Sequence, residues 1–342
     1  MDRRRAIIGV LEGKRSSRLP RALFGAGRWA YRQTGLRIGD LTEDPGHFAD
    51  ALTGLFSRLD TDIIFPGSGL NSFAAEAIGG ELVFSEEKAP MLSFPLIQSS
   101  EDAAGLASID ISDSPHGLGL IGMIRGLRKG LPDRFLCCTS WGPFTWAMIL
   151  CDWNLLKDKT VTDRAFIHEV CELGVRLSFS LFRPLIDEGL IDGIVIPDGA
   201  VTLIPNDLYR EVVLPAEKRL FDLARARGLW CFLHQCGDIR PQISLYPGTG
   251  ADCISVDSRV SLREVYELYR QRVVTAGNVD VINTILGGDP SLLCKAVSES
   301  LAGVDPFERF ILMPSCDLPP ETPFENVRTF LSCADRVVPT GV

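Results

Sequence analysis

Short apolar runs that end in small or polar residues recur along the second half of the chain. After residue 190 there are five of them: DGIVIPDG, LWCFLHQCG, ADCISVDS, RVVTAGNVD and RFILMPSCD. The segments between them, such as SLREVYELYRQ and TPFENVRTFLSCADRV, have the residue spacing of helices. Apolar strands that alternate with helices are typical of parallel sheets whose two faces are both covered. The pattern therefore predicts repeated strand–helix units.

Three further strand candidates precede this region and bring the predicted total to eight: RALFGAG, DIIFPGSG and DRFLCCTSWGPF. Eight units predict an α/β fold of the (β/α)8 TIM-barrel class, in one domain over residues 1–342 with an N-terminal helical extension. An open doubly wound sheet is the alternative. Residues 81–132 do not follow this alternation of strands and helices, so we expect an irregular insertion there. It would be a lid, a docking surface or an ordinary surface loop.

The composition narrows the class of protein. Hydrophobic residues make up 46% and charged residues 23% of the 342 positions, as in ordinary soluble enzymes. The net charge of −9 argues against nucleic-acid binding, which needs a basic surface. No apolar stretch reaches the roughly 18 residues of a membrane span and no signal peptide is evident, so we expect a cytoplasmic protein.

The ten cysteines of a cytoplasmic protein would be reduced. Most of them are expected to be small core residues: Cys137, Cys151, Cys171, Cys231, Cys253, Cys294 and Cys333.

Active sites of TIM barrels lie at the carboxyl ends of the strands. The polar residues that end the predicted strands would therefore share one mouth: Asp198, His234, Cys236, Asp257, Asn278 and Cys316. Alternate strand residues point to one side, so His234 and Cys236 project together. With Cys316 they would offer two thiolates and one imidazole, which suit zinc with an open fourth position. Spacing alone leaves the alternative that Cys316 is a core thiol and that an aspartate hydrogen-bonds His234.

Six motifs carry a resemblance to a known family: WAYRQTG (29–35), WGPFTWA (141–147), HQCGD (234–238), CISVD (253–257), AGNVD (276–280) and PSCDLPPETPFENV (314–327). In this order they resemble the uroporphyrinogen decarboxylase superfamily of TIM barrels, over nearly the whole chain. Arg32 matches one arginine that binds substrate carboxylates in the decarboxylases. However, Leu36 replaces the second arginine, Gly67 replaces the pyrrole-binding aspartate, and the final motif has Cys316 where the decarboxylases have histidine.

These departures are similar to those of the corrinoid methyltransferases in the same superfamily. The resemblance implies that His234, Cys236 and Cys316 bind Zn²⁺. It also implies methyl exchange between a small molecule and the cobalt of a corrinoid, as methylcobalamin or cob(I)alamin. The chain lacks an Asp-x-His-x-x-Gly cobalamin motif, so we expect a separate corrinoid protein as partner. A tetrapyrrole decarboxylase and a non-catalytic zinc-binding barrel are the alternatives.

The segments GAGRWAYRQTGL and GSGLNSFAAEAIGG resemble enzymes that demethylate methoxylated aromatics, and methylation of a thiol of the coenzyme M type is the alternative. An aromatic substrate would need an aromatic wall with nearby polar groups. The candidates for substrate binding are Trp29, Tyr31, Arg32, Asn71, Glu76, Trp141 and Phe144, with Phe73 and Trp146 as further aromatic residues. Core packing is the alternative for each aromatic residue.

The catalytic candidates are Asp198, Asp257 and Asn278. Either aspartate would orient the zinc-bound histidine or accept a proton, and helix capping is the alternative for each. The sequence leaves the oligomeric state open, a homodimer included.

Overall fold

The computed structural model of the protein describes residues 2–83 and 91–336. Its strands are β1 (Ile63–Ile64), β2 (Leu82–Val83), β3 (Met91–Leu92), β4 (Phe135–Thr139), β5 (Gly193–Pro197), β6 (Trp230–Gln235), β7 (Cys253–Val256), β8 (Val274–Val279) and β9 (Phe310–Pro314). Its helices are α1 (Arg3–Leu11), α2 (Gly27–Thr34), α3 (Pro45–Ser57), α4 (Phe73–Ala77), α5 (Ser100–Leu106), α6 (Pro115–Gly130), α7 (Pro143–Leu150), α8 (Trp153–Thr162), α9 (Arg164–Asp187), α10 (Asn206–Leu208), α11 (Leu214–Arg225), α12 (Leu262–Tyr269), α13 (Pro290–Ser300) and α14 (Phe324–Cys333). None of the helices in these ranges is both long and apolar enough to cross a membrane.

Among the described residues, seven parallel strands form one sheet in the order β1-β4-β5-β6-β7-β8-β9. The two edges of this sheet are joined through Arg21 and Ala22. Arg21 pairs in parallel with Leu312 of β9, and Ala22 pairs with Ile63 of β1. The main-chain hydrogen bond from Ala22 N to Leu312 O measures 2.9 Å. This segment takes the place of an eighth strand and closes the sheet, so the predicted TIM-barrel class is confirmed.

The first of the eight predicted strands is shorter than the run RALFGAG suggests. Pro20 has no N–H group to donate, and Gly25 and Ala26 both have a left-handed φ of 62°. Regular pairing is therefore limited to two isolated bridges.

The barrel interior is filled by apolar side chains that alternate along the strands. One core cluster contains Phe135, Phe232, Cys253 and Ile311, and it also includes Ile7 of α1. The helix α1, which is the predicted N-terminal extension, therefore closes the amino-terminal end of the barrel. A second and larger cluster lies between the sheet and the surrounding helices.

Polar side chains lie above this apolar interior at the carboxyl end. Phe232 and Cys253 point inwards, so His234 and Ser255, two residues further along their strands, point inwards as well. His234 and Ser255 are direct partners in the register of β6 and β7. The fold thus brings a histidine and a serine side by side at the mouth of the barrel.

The insertion expected over residues 81–132 is only partly irregular. Strands β2 and β3 form an antiparallel ribbon, and α6 is a regular helix that packs against α3. Ser114 caps α6, because its hydroxyl accepts a hydrogen bond from Gly117 N at 3.0 Å. The glycines of PHGLGLIGMIRGLRKG interrupt the apolar spacing that would have predicted this helix. Residues 84–90 of the expected insertion lie outside the described ranges.

One part of the cysteine prediction is wrong. Cys294 of α13 and Cys333 of α14 form a disulfide, with their Cα atoms 4.9 Å apart. The two helices pack together, but the cysteines are 39 residues apart in the chain, so no local pattern indicated the pairing. The other five cysteines expected in the core are free and buried.

Candidate metal centre

Three ligand-type side chains converge at the mouth of the barrel. The ligand atoms of His234, Cys236 and Cys316 all lie within 4.8 Å of one another. His234 Nε2 is 2.7 Å from Cys236 Sγ, and Cys236 Sγ is 3.3 Å from Cys316 Sγ. In the described ranges, no other group of three or more histidine, cysteine or acidic side chains converges in this way. The structure therefore brings together the three residues that the sequence predicted as metal ligands.

The local sequence explains how the two ligands on the β6 side are presented. His234 belongs to the buried end of β6, and Cys236 follows just after the strand. Gly237 then turns the chain away with a φ of 88°, a conformation that glycine adopts at little cost. Gly237 N donates a hydrogen bond to Asp257 Oδ2 at 3.0 Å, which fixes the turn.

The two thiols differ in their affinity for a proton. The hydrogen bond from Cys236, followed by contact with His234, lowers the pKa of Cys316 to about 4. The hydrogen bond to Cys316, followed by burial, raises the pKa of Cys236 well above its usual value. The next residue is affected as well, because burial and the nearby Cys316 thiolate raise the pKa of Asp317 to about 7. This asymmetry favours ionisation of Cys316 over Cys236, and the thiolate is the form of cysteine that binds cations.

The imidazole is held on two sides by residues that the sequence analysis did not select. His234 Nδ1 is 3.0 Å from Ser255 Oγ, and the ring of Phe24 stacks on the imidazole at 3.8 Å between centroids. We expected Asp198 or Asp257 to hydrogen-bond the histidine, but in the structure Ser255 makes this hydrogen bond. The alternation of inward positions on CISVD marks Ser255 as a neighbour of the site, so the sequence did contain this signal.

Asp198 has a different partner from the one expected. Its buried carboxylate accepts hydrogen bonds from Phe144 N at 3.2 Å and from Thr145 N at 2.6 Å. The Thr145 hydroxyl donates a third bond at 2.7 Å. Burial raises the pKa of Asp198 to about 6. The carboxylate therefore caps the first turn of α7, which precedes Asp198 in the chain, and its catalytic role stays a prediction.

The other two catalytic candidates also make backbone contacts. Asp257 accepts hydrogen bonds from Gly237 N and from Arg259 N, the latter at 2.9 Å. Asn278 Nδ2 donates to the carbonyl oxygens of Asp257 and Val260, both at 2.9 Å. These contacts fix the loops at the mouth, and a chemical role for either residue stays a prediction.

Most of the aromatic residues predicted to form a wall for a substrate are buried. Trp29, Tyr31 and Phe144 expose 0%, 4% and 0% of their surface. Trp29 Nε1 donates to Thr322 O at 2.8 Å, and the Tyr31 hydroxyl donates to Ser68 O at 2.8 Å. Little or no solvent reaches these rings, and their role in substrate binding stays a prediction. The two further aromatic candidates are buried as well: Phe73 and Trp146.

The polar substrate candidates are paired within the protein. Arg32 is exposed and lies 3.3 Å from Glu321 in an ion pair. Glu76 Oε2 is 2.8 Å from His116 Nδ1. Arg32 and Glu321 are both exposed, whereas His116 is largely buried and its ring stacks on Phe73. Neither pair hydrogen-bonds any of the three candidate ligands.

Asn71 and Trp141 lie closer to the mouth. The Asn71 amide is 2.9 Å from Thr139 Oγ1 at the end of β4, and Trp141 follows the same strand. Trp141 Nε1 is buried without a hydrogen-bond partner in the part of the chain that the structure describes. The cavity beside Asn71, which Phe73 and His116 also line, has a volume of about 20 Å³, enough for roughly one water molecule. It is therefore too small for a substrate.

The sequence profile described as "Uroporphyrinogen decarboxylase (URO-D)" matches residues 2–337. The chain belongs to the uroporphyrinogen decarboxylase family. This finding confirms the resemblance that the sequence motifs carry. The family description alone does not specify the reaction of this chain, so individual relatives are informative.

Two similar proteins have names that describe a reaction. The chain is 26% identical over 274 residues to the methylated-thiol–coenzyme M methyltransferase of Methanosarcina mazei, which covers 78% of the chain and 71% of that protein. It is 28% identical over 142 residues to the methylcobamide:CoM methyltransferase MtbA of Methanosarcina acetivorans. That second match spans 41% of the chain and only 40% of the relative's length.

Solved structures support the fold. A methyltransferase from Methanosarcina mazei matches with a TM-score of 0.86 at 19% identity, over 98% of both chains. A B12-independent methionine synthase from Shewanella sp. W3-18-1, in complex with selenomethionine, matches with a TM-score of 0.54 at 16% identity, over 84% of this chain and 85% of that one. At such identities the likeness concerns the fold alone.

Proposed function

We propose that this protein is a methyltransferase that moves a methyl group between a small molecule and the cobalt of a corrinoid bound to a separate protein. The observation that carries the proposal is the convergence of His234, Cys236 and Cys316 within 4.8 Å at the barrel mouth. The names of its relatives support the same reaction class.

The ligand set fits a zinc ion. Two sulfurs and one imidazole nitrogen form a set that zinc prefers, and three protein ligands leave one position for substrate. The lowered pKa of Cys316 makes a thiolate available near neutral pH. Bound at these side chains, zinc would act as a Lewis acid that lowers the pKa of a substrate thiol or polarises a substrate ether oxygen.

The other residues of the site orient the ligands and exclude water. Ser255 and Phe24 hold the imidazole ring, and Asp257 holds the turn that follows Cys236. The barrel interior beneath His234 is apolar, so solvent reaches the site from the mouth alone. A dry, fixed site strengthens the electrostatic interaction between the ligands and a reacting group.

Two substrate classes follow from this chemistry. The methoxylated aromatic predicted from the sequence requires removal of a methyl group from an ether oxygen. A thiol of the coenzyme M type is the second candidate, and the names of the relatives favour it. The burial of Trp29, Tyr31 and Phe144 supports it too, because an aromatic substrate would need rings that it can reach.

The test is methyl transfer by the zinc-loaded protein. Cob(I)alamin is incubated with methoxylated aromatics and with methylated thiols, and the absorption spectrum of methylcobalamin reports transfer. In the reverse direction, methylcobalamin is incubated with 2-mercaptoethanesulfonate. We expect transfer with one class, and we expect Cys236→Ala and Cys316→Ala to abolish it. Cys171→Ala, which removes a buried free thiol on α9, should retain it.

The outcomes separate the proposal from its alternatives. Zinc binding without transfer to or from cobalamin for any substrate would contradict the proposal and favour the non-catalytic zinc-binding barrel. Loss of a carboxyl group from uroporphyrinogen would instead favour the decarboxylase, which lacks support here because Leu36 and Gly67 replace two of its substrate-binding residues.

A further inference from the structure

The hydroxyl group of Ser255 occupies a defined place behind the histidine of the candidate metal centre. Its Oγ atom lies 3.0 Å from His234 Nδ1. The two residues are direct partners in the register of β6 and β7, so the backbone fixes the distance between their side chains. His234 is 0% exposed and Ser255 is 2% exposed, so solvent does not compete for this hydrogen bond.

The tautomer of the imidazole depends on this contact. A neutral imidazole that binds a metal through Nε2 carries its proton on Nδ1, and a buried N–H group requires an acceptor. In the structure Nε2 is the nitrogen that faces Cys236 Sγ, at 2.7 Å. Nδ1 faces Ser255 on the opposite side of the ring. The serine oxygen is therefore placed to accept the Nδ1 proton and to leave the Nε2 lone pair directed at the ligand cluster.

The other neighbours of the ring cannot make this selection. Phe24 stacks on the imidazole with an angle of 22° between the ring planes, which restrains the tilt of the ring but does not distinguish its nitrogens. The two aspartates that the sequence suggested for this role make other bonds. Asp198 caps α7, and Asp257 accepts from Gly237 N. Selection of the tautomer thus falls to Ser255.

We propose that Ser255 is a positioning residue of the metal centre, whose hydroxyl accepts the Nδ1 proton of His234 and thereby directs Nε2 to the metal. This inference rests on the proposed function in one respect, namely that the cluster binds zinc. It goes further because Ser255 lies on β7, a strand that carries none of the three ligands, and should nevertheless affect zinc affinity. Asp257, just after the same strand, holds the turn after Cys236, so β7 supports both ligands that β6 presents.

The experiment measures zinc affinity directly, by competition with a chromophoric chelator at pH 7. Ser255→Ala removes the acceptor, and Ser255→Thr keeps a hydroxyl. The matched control is Thr275→Val, since the Thr275 hydroxyl on β8 is buried and makes no hydrogen bond with the described residues. We expect Ser255→Ala to weaken zinc binding by about 10- to 100-fold, the range that metal-ligand partners of this kind typically contribute. Ser255→Thr should restore most of the affinity, and Thr275→Val should leave it unchanged.

A second readout reports the tautomer itself. The chain contains four histidines, so ring ¹⁵N resonances can be assigned by comparison with His234→Ala. We expect the zinc-bound wild type to show a proton on Nδ1 of His234. Thermal unfolding of the metal-free variants distinguishes a positioning effect from general destabilisation, because Ser255→Ala should lose zinc affinity even if its unfolding temperature stays close to that of the wild type.

The outcomes distinguish this inference from the proposed function. If wild-type protein binds zinc and Ser255→Ala binds it equally tightly, the role of Ser255 is overturned while the metal centre stands. If wild type and His234→Ala are alike in failing to bind zinc, both the inference and the proposed function are overturned.

Discussion

The residue that turns the chain away from the ligand cluster is Gly237. It combines a φ of 88° with a hydrogen bond from its N–H group to Asp257. A Cβ atom at this position would meet only ordinary van der Waals contacts, the nearest being Thr202 Oγ1 at 3.6 Å. The cost of a side chain here is therefore conformational, and it acts directly on the position of Cys236.

Gly237→Ala should lower both the free energy of unfolding and the affinity for zinc. A non-glycine residue in such a conformation costs about 1–3 kcal/mol, and relaxation of the turn would move Cys236 relative to its partners. Gly228→Ala is the matched control, because Gly228 has a φ of 82° with nothing within 4 Å of the added Cβ. Denaturant unfolding and chelator competition would measure both quantities. Equal zinc affinity in the two variants would show that the turn does not position the ligand.

At the scale of elements, the strands were easier to predict than the insertion. The five later runs became β5 to β9 because each is apolar and ends in small or polar residues. The helix α6 was missed because glycines interrupt its apolar stripe, although Ser114 and Pro115 gave a start signal. The disulfide between α13 and α14 was missed for a different reason, since a pairing across 39 residues depends on helix packing and not on local spacing.

The disulfide should stabilise the last two helices without affecting the metal centre. Closing a loop of 39 residues restricts the unfolded chain, and loops of this size contribute about 2–4 kcal/mol. Cys294→Ser combined with Cys333→Ser should lower the free energy of unfolding by that amount, as measured in urea. Wild type under a strong reductant should unfold like the double variant, and zinc affinity should stay the same in all cases. A double variant as stable as the oxidised wild type would contradict this.

At the scale of the whole molecule, the candidate metal centre depends on the closed barrel. Cys236 and Cys316 are 80 residues apart, and their sulfur atoms are 3.3 Å apart across the mouth. The sequence predicted all three ligands because strand ends and the family motifs both mark them. It did not predict that Ser255 and Phe24 would contact the imidazole. Whether an aromatic residue such as Trp29 faces a pocket or the core depends on helix packing, which residue type alone does not determine.

Zinc should therefore stabilise the fold as a whole, because the folded chain alone brings the three ligands together. At a free zinc concentration about 100-fold above the dissociation constant, the free energy of unfolding should rise by about 2.7 kcal/mol. Urea unfolding at several buffered zinc concentrations would measure this increment. Cys316→Ala should lose this increment. Cys151→Ala, which removes a buried free thiol elsewhere, should keep the increment although its free energy of unfolding without zinc is lower. An equal increment in both variants would mean that zinc stabilises the protein at some other place, which would contradict the assignment of the centre to the barrel mouth.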